Sequence, residues 1–146
     1  MMNILQLVRE QSENSGVILS LCRRSSTPPL IVPCDLVKDP YIGCGSHPDI
    51  VARVWDELGK GTVTEGRLVV CATPVLANPE TGLILAVSYG TSYCIRIAPF
   101  WREDAIRSGC ARIHKWSDGT VTDIQEEFGS GWMFGGWAAG EHSWIG

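Results

Sequence analysis

The hydrophobic and polar positions predict helices, one strand and an irregular connection in the first part of the chain, and mostly strands after residue 67. In residues 2–14 the apolar side chains of Ile4, Leu5 and Val8 recur at helical spacing. This spacing predicts a short amphipathic helix that ends at the "NSG" segment, where a glycine can cap it. The following residues 17–22, "VILSLC", are apolar and β-branched. We expect them to form a buried strand.

Residues 46–58 carry the clearest helical pattern in the chain. Ser46 is a good N-cap residue, and Asp49 three positions later completes a capping box. The apolar residues fall on one face of this predicted helix: Ile50, Val51, Val54, Trp55 and Leu58. The residues before it, 23–40, contain four prolines, which predict an extended and irregular connection.

From Arg67 onward the hydrophobic period changes to two. Residues 67–77 and 83–89 flank the turn "NPETG" and predict a hairpin, in which Pro74 marks an edge or a bulge. A third strand over 93–97 follows the turn "GTS" and completes a meander.

The rest of the chain predicts a short helix, a second hairpin and a last strand. The helix lies at 99–109, the hairpin turns at "SDG", and "WMFGGW" forms the strand. We therefore expect one α+β domain over residues 1–146. Its antiparallel sheet would have about five to six strands, as a meander plus a hairpin, packed with two to three helices.

Composition and charge exclude several classes of protein. Hydrophobic residues make up 45% of the chain and charged residues 19%, as in a globular domain. A net charge of −4 argues against binding to nucleic acid or to anionic membranes. No apolar run approaches the roughly 18 residues that span a bilayer. Six scattered cysteines without a CxxC pair, and no signal peptide, predict a cytoplasmic protein with reduced thiols.

The start of the 46–58 helix is the first candidate for chemistry. Cys44 and His47 could form a thiol–imidazole pair, since a helix N-terminus lowers a thiol pKa. This alternative hypothesis is an enzyme or sensor for a small ligand, with Tyr89 and Tyr93 nearby. The segment is not a phosphate-binding loop, because Pro48 stands where a third glycine would be needed.

A metal site at the same place would use Cys34, Cys44 and His47, with Cys22 as a fourth ligand. Structural zinc sites usually consist of two close ligand pairs, and the sequence offers one. We therefore predict neither a metal site nor a cofactor.

The C-terminal quarter is the second candidate. Residues 117–146 contain five acidic residues and no Lys or Arg, whereas the other 116 residues carry 12 basic and 11 acidic groups. Three tryptophans lie in the same quarter, and tryptophan often anchors protein interfaces. An acidic surface around such anchors favours a basic partner. The predicted partner-binding residues are Asp118, Asp123, Glu126, Glu127, Trp132, Trp137, Glu141 and Trp144.

Local explanations for some of these residues remain open. Asp118 lies in the "SDG" turn, where aspartate is common for conformational reasons. Trp132 and Trp137 occupy strand-like positions that are typical of core residues. Trp144 suits either role.

Three blocks of sequence carry a resemblance: "GSHPDIVARVWDELG", "TPVLANPETGLILAVSYGTSY" and "GWMFGGWAAGEHSW". They are similar to an uncharacterised group of small bacterial proteins, which implies no function. In size and charge alone, the chain also resembles immunity proteins that neutralise bacterial toxins, and these share no common fold.

The function that we expect is therefore non-enzymatic protein binding. An immunity-type inhibitor would dock on a basic toxin encoded by a neighbouring gene. The small-ligand enzyme and a structural subunit of a homo-oligomer are the alternatives.

Overall fold

The structure is a computed structural model that describes residues 3–22, 31–33, 50, 54–55, 66–71 and 73–136. These residues form the predicted α+β fold. The helices are α1 (Ile4–Glu10), α2 (Ser15–Leu21), α3 (Arg102–Arg107) and α4 (Ile124–Phe128), with 3₁₀ turns at Ser12–Asn14 and Pro99–Trp101. The strands are β1 (Ile31–Pro33), β2 (Arg67–Val70), β3 (Thr73–Ala77), β4 (Ile84–Tyr89), β5 (Ser92–Arg96), β6 (Ile113–Lys115), β7 (Val121–Asp123) and β8 (Trp132–Phe134). No helix within the described ranges is long and apolar enough to cross a membrane.

Six strands form one antiparallel sheet in the order β1-β2-β3-β4-β5-β8. Its centre is a meander in which each strand pairs with the next along the chain. The predicted single strand over 67–77 is two strands, because Cys71 adopts a left-handed backbone (φ +46°) and turns the chain between β2 and β3. The second hairpin, β6–β7, forms a separate two-stranded ribbon instead of joining the main sheet.

Both faces of the central sheet are buried, so alternate residues of one strand enter different cores. Val75 and Ala77 of β3 pack in the same cluster as Val8 and Val17 of the first two helices. Leu76, between them, lies in a second cluster. That second cluster also contains four residues from helical segments, which are Ile50, Val54, Trp55 and Ala105. Helical segments therefore cover the sheet on both sides.

The predicted helix over 46–58 lies mostly outside the described residues. Three of its apolar positions are described, and Ile50, Val54 and Trp55 are all buried, at 3%, 0% and 0% exposure. The Trp55 indole also donates a hydrogen bond to the Val75 carbonyl oxygen at 2.9 Å. The apolar face predicted for this segment is confirmed at these positions.

The prediction of a strand over 17–22 is wrong, since these residues belong to helix α2 and its C-cap. Their burial follows a helical pattern, with Val17 fully buried and Leu19 75% exposed. The packing of α2 against α4 overrides the β propensity of the sequence. Gly16, predicted to cap the first helix, lies inside α2, where an added Cβ would stand 2.8 Å from the Phe128 carbonyl oxygen. Its lack of a side chain permits this close approach.

The prediction of reduced thiols is wrong for two of the six cysteines. Cys22, at the end of α2, and Cys71, in the β2–β3 turn, form a disulfide with their Cα atoms 5.5 Å apart. They are separated by 49 positions in sequence, and no spacing motif marks them. Cys94 and Cys110 are buried and are not part of this disulfide. Burial and the nearby Glu127 carboxylate raise the pKa of the Cys94 thiol well above its usual value.

Candidate functional site

The β6–β7 ribbon and the helix α4 that follows it carry the four described acidic residues of the predicted surface. The hairpin turn is built by local bonds around Asp118. Its carboxylate accepts hydrogen bonds from the Thr120 amide at 2.9 Å and the Thr120 hydroxyl at 2.7 Å. These bonds lower the pKa of Asp118. Gly119 completes the turn with a positive φ of +91°. Asp118 therefore shapes the turn and remains a charged group at its tip.

One face of the ribbon is attached to the main sheet through aromatic rings. His114 contacts the rings of Trp116 and Phe134, with centroids 4.3 and 5.1 Å apart. The Trp116 indole donates a hydrogen bond to Thr122 Oγ1 on the opposite strand, at 2.8 Å, and stacks on Tyr89. These contacts fix the orientation of the ribbon relative to the sheet.

A backbone bridge attaches the base of the ribbon to β8. Ala111 and Phe134 exchange two hydrogen bonds, at 3.0 and 2.7 Å. The ribbon therefore extends from the last strand of the sheet as a supported element, held by its base as well as by its rings.

The other face of the ribbon points to solvent and carries two apolar residues. Ile113 is 54% exposed and Val121 is 59% exposed. The register pairs Ile113 with Asp123 and Lys115 with Val121, so these four side chains share one face. Isolated exposed apolar residues are ordinary, but two on one strand pair make a small apolar patch with charged neighbours.

Asp123 connects the ribbon to α4. It is the N-cap of this helix and accepts hydrogen bonds from the amides of Gln125 and Glu126, at 3.0 and 3.4 Å. The Arg112 guanidinium also donates to both of its carboxylate oxygens, at 2.8 and 2.7 Å. The pKa of Asp123 is lowered, first by the Arg112 hydrogen bond, and the pKa of Arg112 is raised by the same bond. The charge of Asp123 is thus largely neutralised within the protein.

The two glutamates of α4 differ in their surroundings. Glu126 is exposed, and it is close enough to Arg112 to contribute to the raised pKa of that guanidinium. Glu127 is half-buried and accepts a hydrogen bond from the Ser20 hydroxyl of α2 at 2.6 Å. Among the four described acidic residues of this surface, Glu126 and Asp118 are therefore the most available to a partner.

Trp132 is not part of the surface. Its side chain is fully buried, packs edge-on against Phe128, and lies beneath the Arg96 guanidinium, 4.9 Å from the ring centroid. The partner-binding role predicted for this residue is wrong, and its alternative role in the core is the observed one. Burial also lowers the pKa of Arg96, whose Nε donates to the Ile84 carbonyl oxygen at 2.9 Å.

Several predicted site residues lie outside the described residues. They are Trp137, Glu141 and Trp144 of the partner surface, and Cys34, Cys44 and His47 of the thiol and metal hypotheses. Cys22, the fourth ligand considered, is in a disulfide. Within the described ranges, no group of three or more His, Cys, Asp or Glu residues could hold a metal ion.

The two tyrosines of the small-ligand hypothesis are described. Tyr93 is buried, and its hydroxyl donates to the Gly136 carbonyl oxygen at 2.8 Å. Tyr89 is half-buried among the rings of Trp116, Phe128 and Phe134. Both side chains are packed into the protein at these contacts.

Sequence reasoning missed the exposed apolar pair and the pair formed by Arg112 and Asp123. The alternation in "ARIHKW" and "TVTDI" contained a signal, because it places Ile113 and Val121 on the face opposite His114 and Thr122. The pattern could not show which face would meet the sheet.

No protein-family model, no curated protein and no solved structure matches this chain.

Proposed function

We propose that this chain is a non-enzymatic protein-binding domain, an immunity-type inhibitor that docks on a basic toxin. The observation that carries the proposal is the composition of one supported surface. The solvent-facing side of the ribbon carries Ile113 and Val121, and the exposed acidic residues Asp118 and Glu126 lie in the turn of the ribbon and in helix α4. We call these four residues the ribbon surface.

The charges around the ribbon surface favour a basic partner. Residues 112–127 contain four acidic residues and two basic ones. The pair of Arg112 and Asp123 cancels one charge of each sign, which leaves three acidic groups against Lys115. An excess of this kind accelerates the encounter with a basic protein and selects against acidic ones.

The attachment of the ribbon supports a docking role. Aromatic contacts fix its inner face, and Asp118 and Asp123 use their carboxylates to shape the turn and to cap α4. A surface that is already ordered loses less conformational entropy on binding. The exposed apolar pair would supply the contact area from which water is excluded, and the acidic groups would form its rim.

The first experiment tests inhibition in cells. The product of the neighbouring gene is expressed from an inducible promoter, with and without co-expression of this chain. We expect growth arrest that co-expression relieves. A neighbouring product that neither arrests growth nor binds this chain would contradict the proposal.

The second experiment assigns binding to the ribbon surface. The double variants Asp118→Asn/Glu126→Gln and Ile113→Ser/Val121→Ser are compared with Glu80→Gln/Glu103→Gln, which changes two exposed acidic residues elsewhere. We expect the charge variant to slow association about tenfold at low salt and the apolar variant to speed dissociation. The Glu80/Glu103 control should bind like the wild type.

Two outcomes would oppose this assignment. If the ribbon variants and the control bind alike, the contact lies elsewhere on the chain. If the Ile113/Val121 variant instead changes the oligomeric state in sedimentation experiments, the apolar pair belongs to a contact between copies of this chain.

A further inference from the structure

A small cavity lies where the end of β5, the 3₁₀ turn after it and the start of β8 meet. Its volume is about 100 Å³. In the part of the chain that the structure describes, its lining residues are Ile97, Pro99, Arg102, Ser130, Gly131 and Met133. Ile97 and Met133 are 5% and 4% exposed and form an apolar floor, whereas Pro99, Arg102 and Ser130 are exposed and form the mouth.

The walls of this cavity are fixed by backbone pairing. The Ile97 amide donates to the Gly131 carbonyl oxygen at 2.7 Å, beside the register pair of Arg96 and Trp132. The segment before β8, "GSG", carries little side-chain volume. Because hydrogen bonds hold the backbone here and the "GSG" segment carries little side-chain volume, the space is already formed before binding, which lowers the cost of binding.

Among the described lining residues, Arg102 is the only charged one. It forms no ion pair with any residue in the described part of the chain. By contrast, Arg107 on the same helix pairs with Asp104, and Arg112 pairs with Asp123. A guanidinium presents a planar set of donors that matches a carboxylate, and the neighbouring Ser130 hydroxyl can donate as well.

We propose that this cavity binds a small monocarboxylate with a short branched aliphatic chain. The carboxylate would meet Arg102 and Ser130 at the mouth, and the aliphatic part would pack on Ile97 and Met133. The space is smaller than the ~150 Å³ apolar cavity that accommodates benzene, so a three- or four-carbon branched group suits it. The inference is independent of the proposed inhibitor function.

The chain offers a clean spectroscopic probe for this test, because it contains three methionines and two of them are Met1 and Met2. Protein labelled with ¹³C at the methionine methyl groups is titrated with isovalerate, with the neutral isovaleramide and with the cationic isobutylamine. We expect the Met133 methyl resonance to shift saturably with isovalerate, with a Kd on the order of 1–10 mM. Isovaleramide should bind more weakly, and isobutylamine more weakly still.

Substitutions at Arg102 test the charge contact directly. We expect Arg102→Gln to weaken isovalerate binding about fivefold and to change the weak isovaleramide response much less, because the lost guanidinium interacts most strongly with a charged carboxylate. Arg102→Lys should restore part of the affinity. The matched control Arg107→Gln, on the same helix but outside the cavity, should behave like the wild type.

Three results would overturn the proposal. The first is no saturable shift of Met133 at isovalerate concentrations about ten times the expected Kd. The second is an equal response to carboxylate and amine. The third is an Arg102→Gln variant, folded as judged by its unchanged remaining spectrum, that binds isovalerate like the wild type.

Discussion

The Arg112 guanidinium and the Asp123 carboxylate meet at the base of the β6–β7 ribbon, with Arg112 Nη2 2.6 Å from Asp123 Oδ2. The same carboxylate caps α4 through two backbone amides. One acidic residue thus fixes the angle between the ribbon and the helix that together form the candidate surface. Arg112 is 11 positions from Asp123 in sequence, and the two amides of α4 are two and three positions from it. The arrangement is therefore local in sequence.

We predict that the protein loses stability in acid when the Asp123 carboxylate is protonated. Its folded-state pKa is depressed, mainly by the Arg112 hydrogen bond. Its contribution is therefore complete above the unfolded pKa of about 3.9 and is lost as pH falls through the lower folded value. We expect Asp123→Asn to lower the Tm at pH 7 by a few degrees and to flatten the fall of Tm below pH ~4. Thermal melts across this range measure both effects.

The control for this experiment is Glu80→Gln, which changes an exposed carboxylate outside the ribbon. It should leave both the neutral Tm and the acid slope unchanged. An Asp123→Asn protein whose Tm falls in acid as steeply as that of the wild type would contradict the assignment.

We expect substitution of Asn14 to lower the free energy of unfolding more than any other single polar substitution in the described part of the chain. It is fully buried, donates to the carbonyl oxygens of Val8 and Gly82 at 3.0 and 2.7 Å, and accepts from the Ile84 amide at 2.8 Å. Asn14→Ala would leave these three backbone groups buried without a partner. We expect a loss of about 3 kcal/mol in the free energy of unfolding, measured by urea denaturation.

The matched comparison is Asn3→Ala, which removes the exposed N-cap of α1 and should cost about 1 kcal/mol. Equal losses for the two variants would mean that the buried hydrogen bonds of Asn14 contribute little beyond a helix cap.

We predict that adding a methyl group at two glycines with similar φ angles lowers the free energy of unfolding by different amounts. Gly82 and Gly119 have φ of +78° and +91°. An added Cβ at Gly82 would stand 2.6 Å from the Leu7 carbonyl oxygen, whereas at Gly119 nothing lies within 4 Å. We expect Gly119→Ala to cost about 1–2 kcal/mol for the backbone alone and Gly82→Ala about 3 kcal/mol or more. Urea unfolding of both variants checks this, and a Gly119→Ala cost equal to or above that of Gly82→Ala would refute it.

The disulfide between Cys22 and Cys71 predicts a redox-dependent stability. It closes a loop of 49 positions, for which chain entropy gives about 4 kcal/mol. We expect the double variant Cys22→Ser/Cys71→Ser to lose roughly this much, and dithiothreitol to destabilise the wild type by a similar amount. The reductant should have no further effect on the double variant. A wild-type urea midpoint that is insensitive to reductant would show that the bond does not form.

The candidate surface was partly predictable. Residues 117–127 pointed to an acidic region because charge can be counted along the sequence. The role of each residue, however, depends on its contacts in the folded protein, which a count of charges does not give. Trp132 is in the core because β8 pairs with β5, and Asp123 is neutralised because Arg112 reaches it across the ribbon. The exposure of Ile113 depends on which face of the ribbon packs on Tyr89 and Phe134 of the main sheet.

The sequence by itself determined the elements whose hydrogen bonds and turns are local. Period-two alternation and turn residues specified the meander of β3, β4 and β5, and the "SDG" turn specified the ribbon, because each strand pairs with a near neighbour in sequence. Tertiary structure decided the rest. Residues 17–22 are helical because they pack on α4, more than a hundred positions away, and Cys22 meets Cys71 only because that packing brings the end of α2 to the β2–β3 turn. Local propensities differ by fractions of a kcal/mol, and the burial of a side chain against a distant element outweighs them.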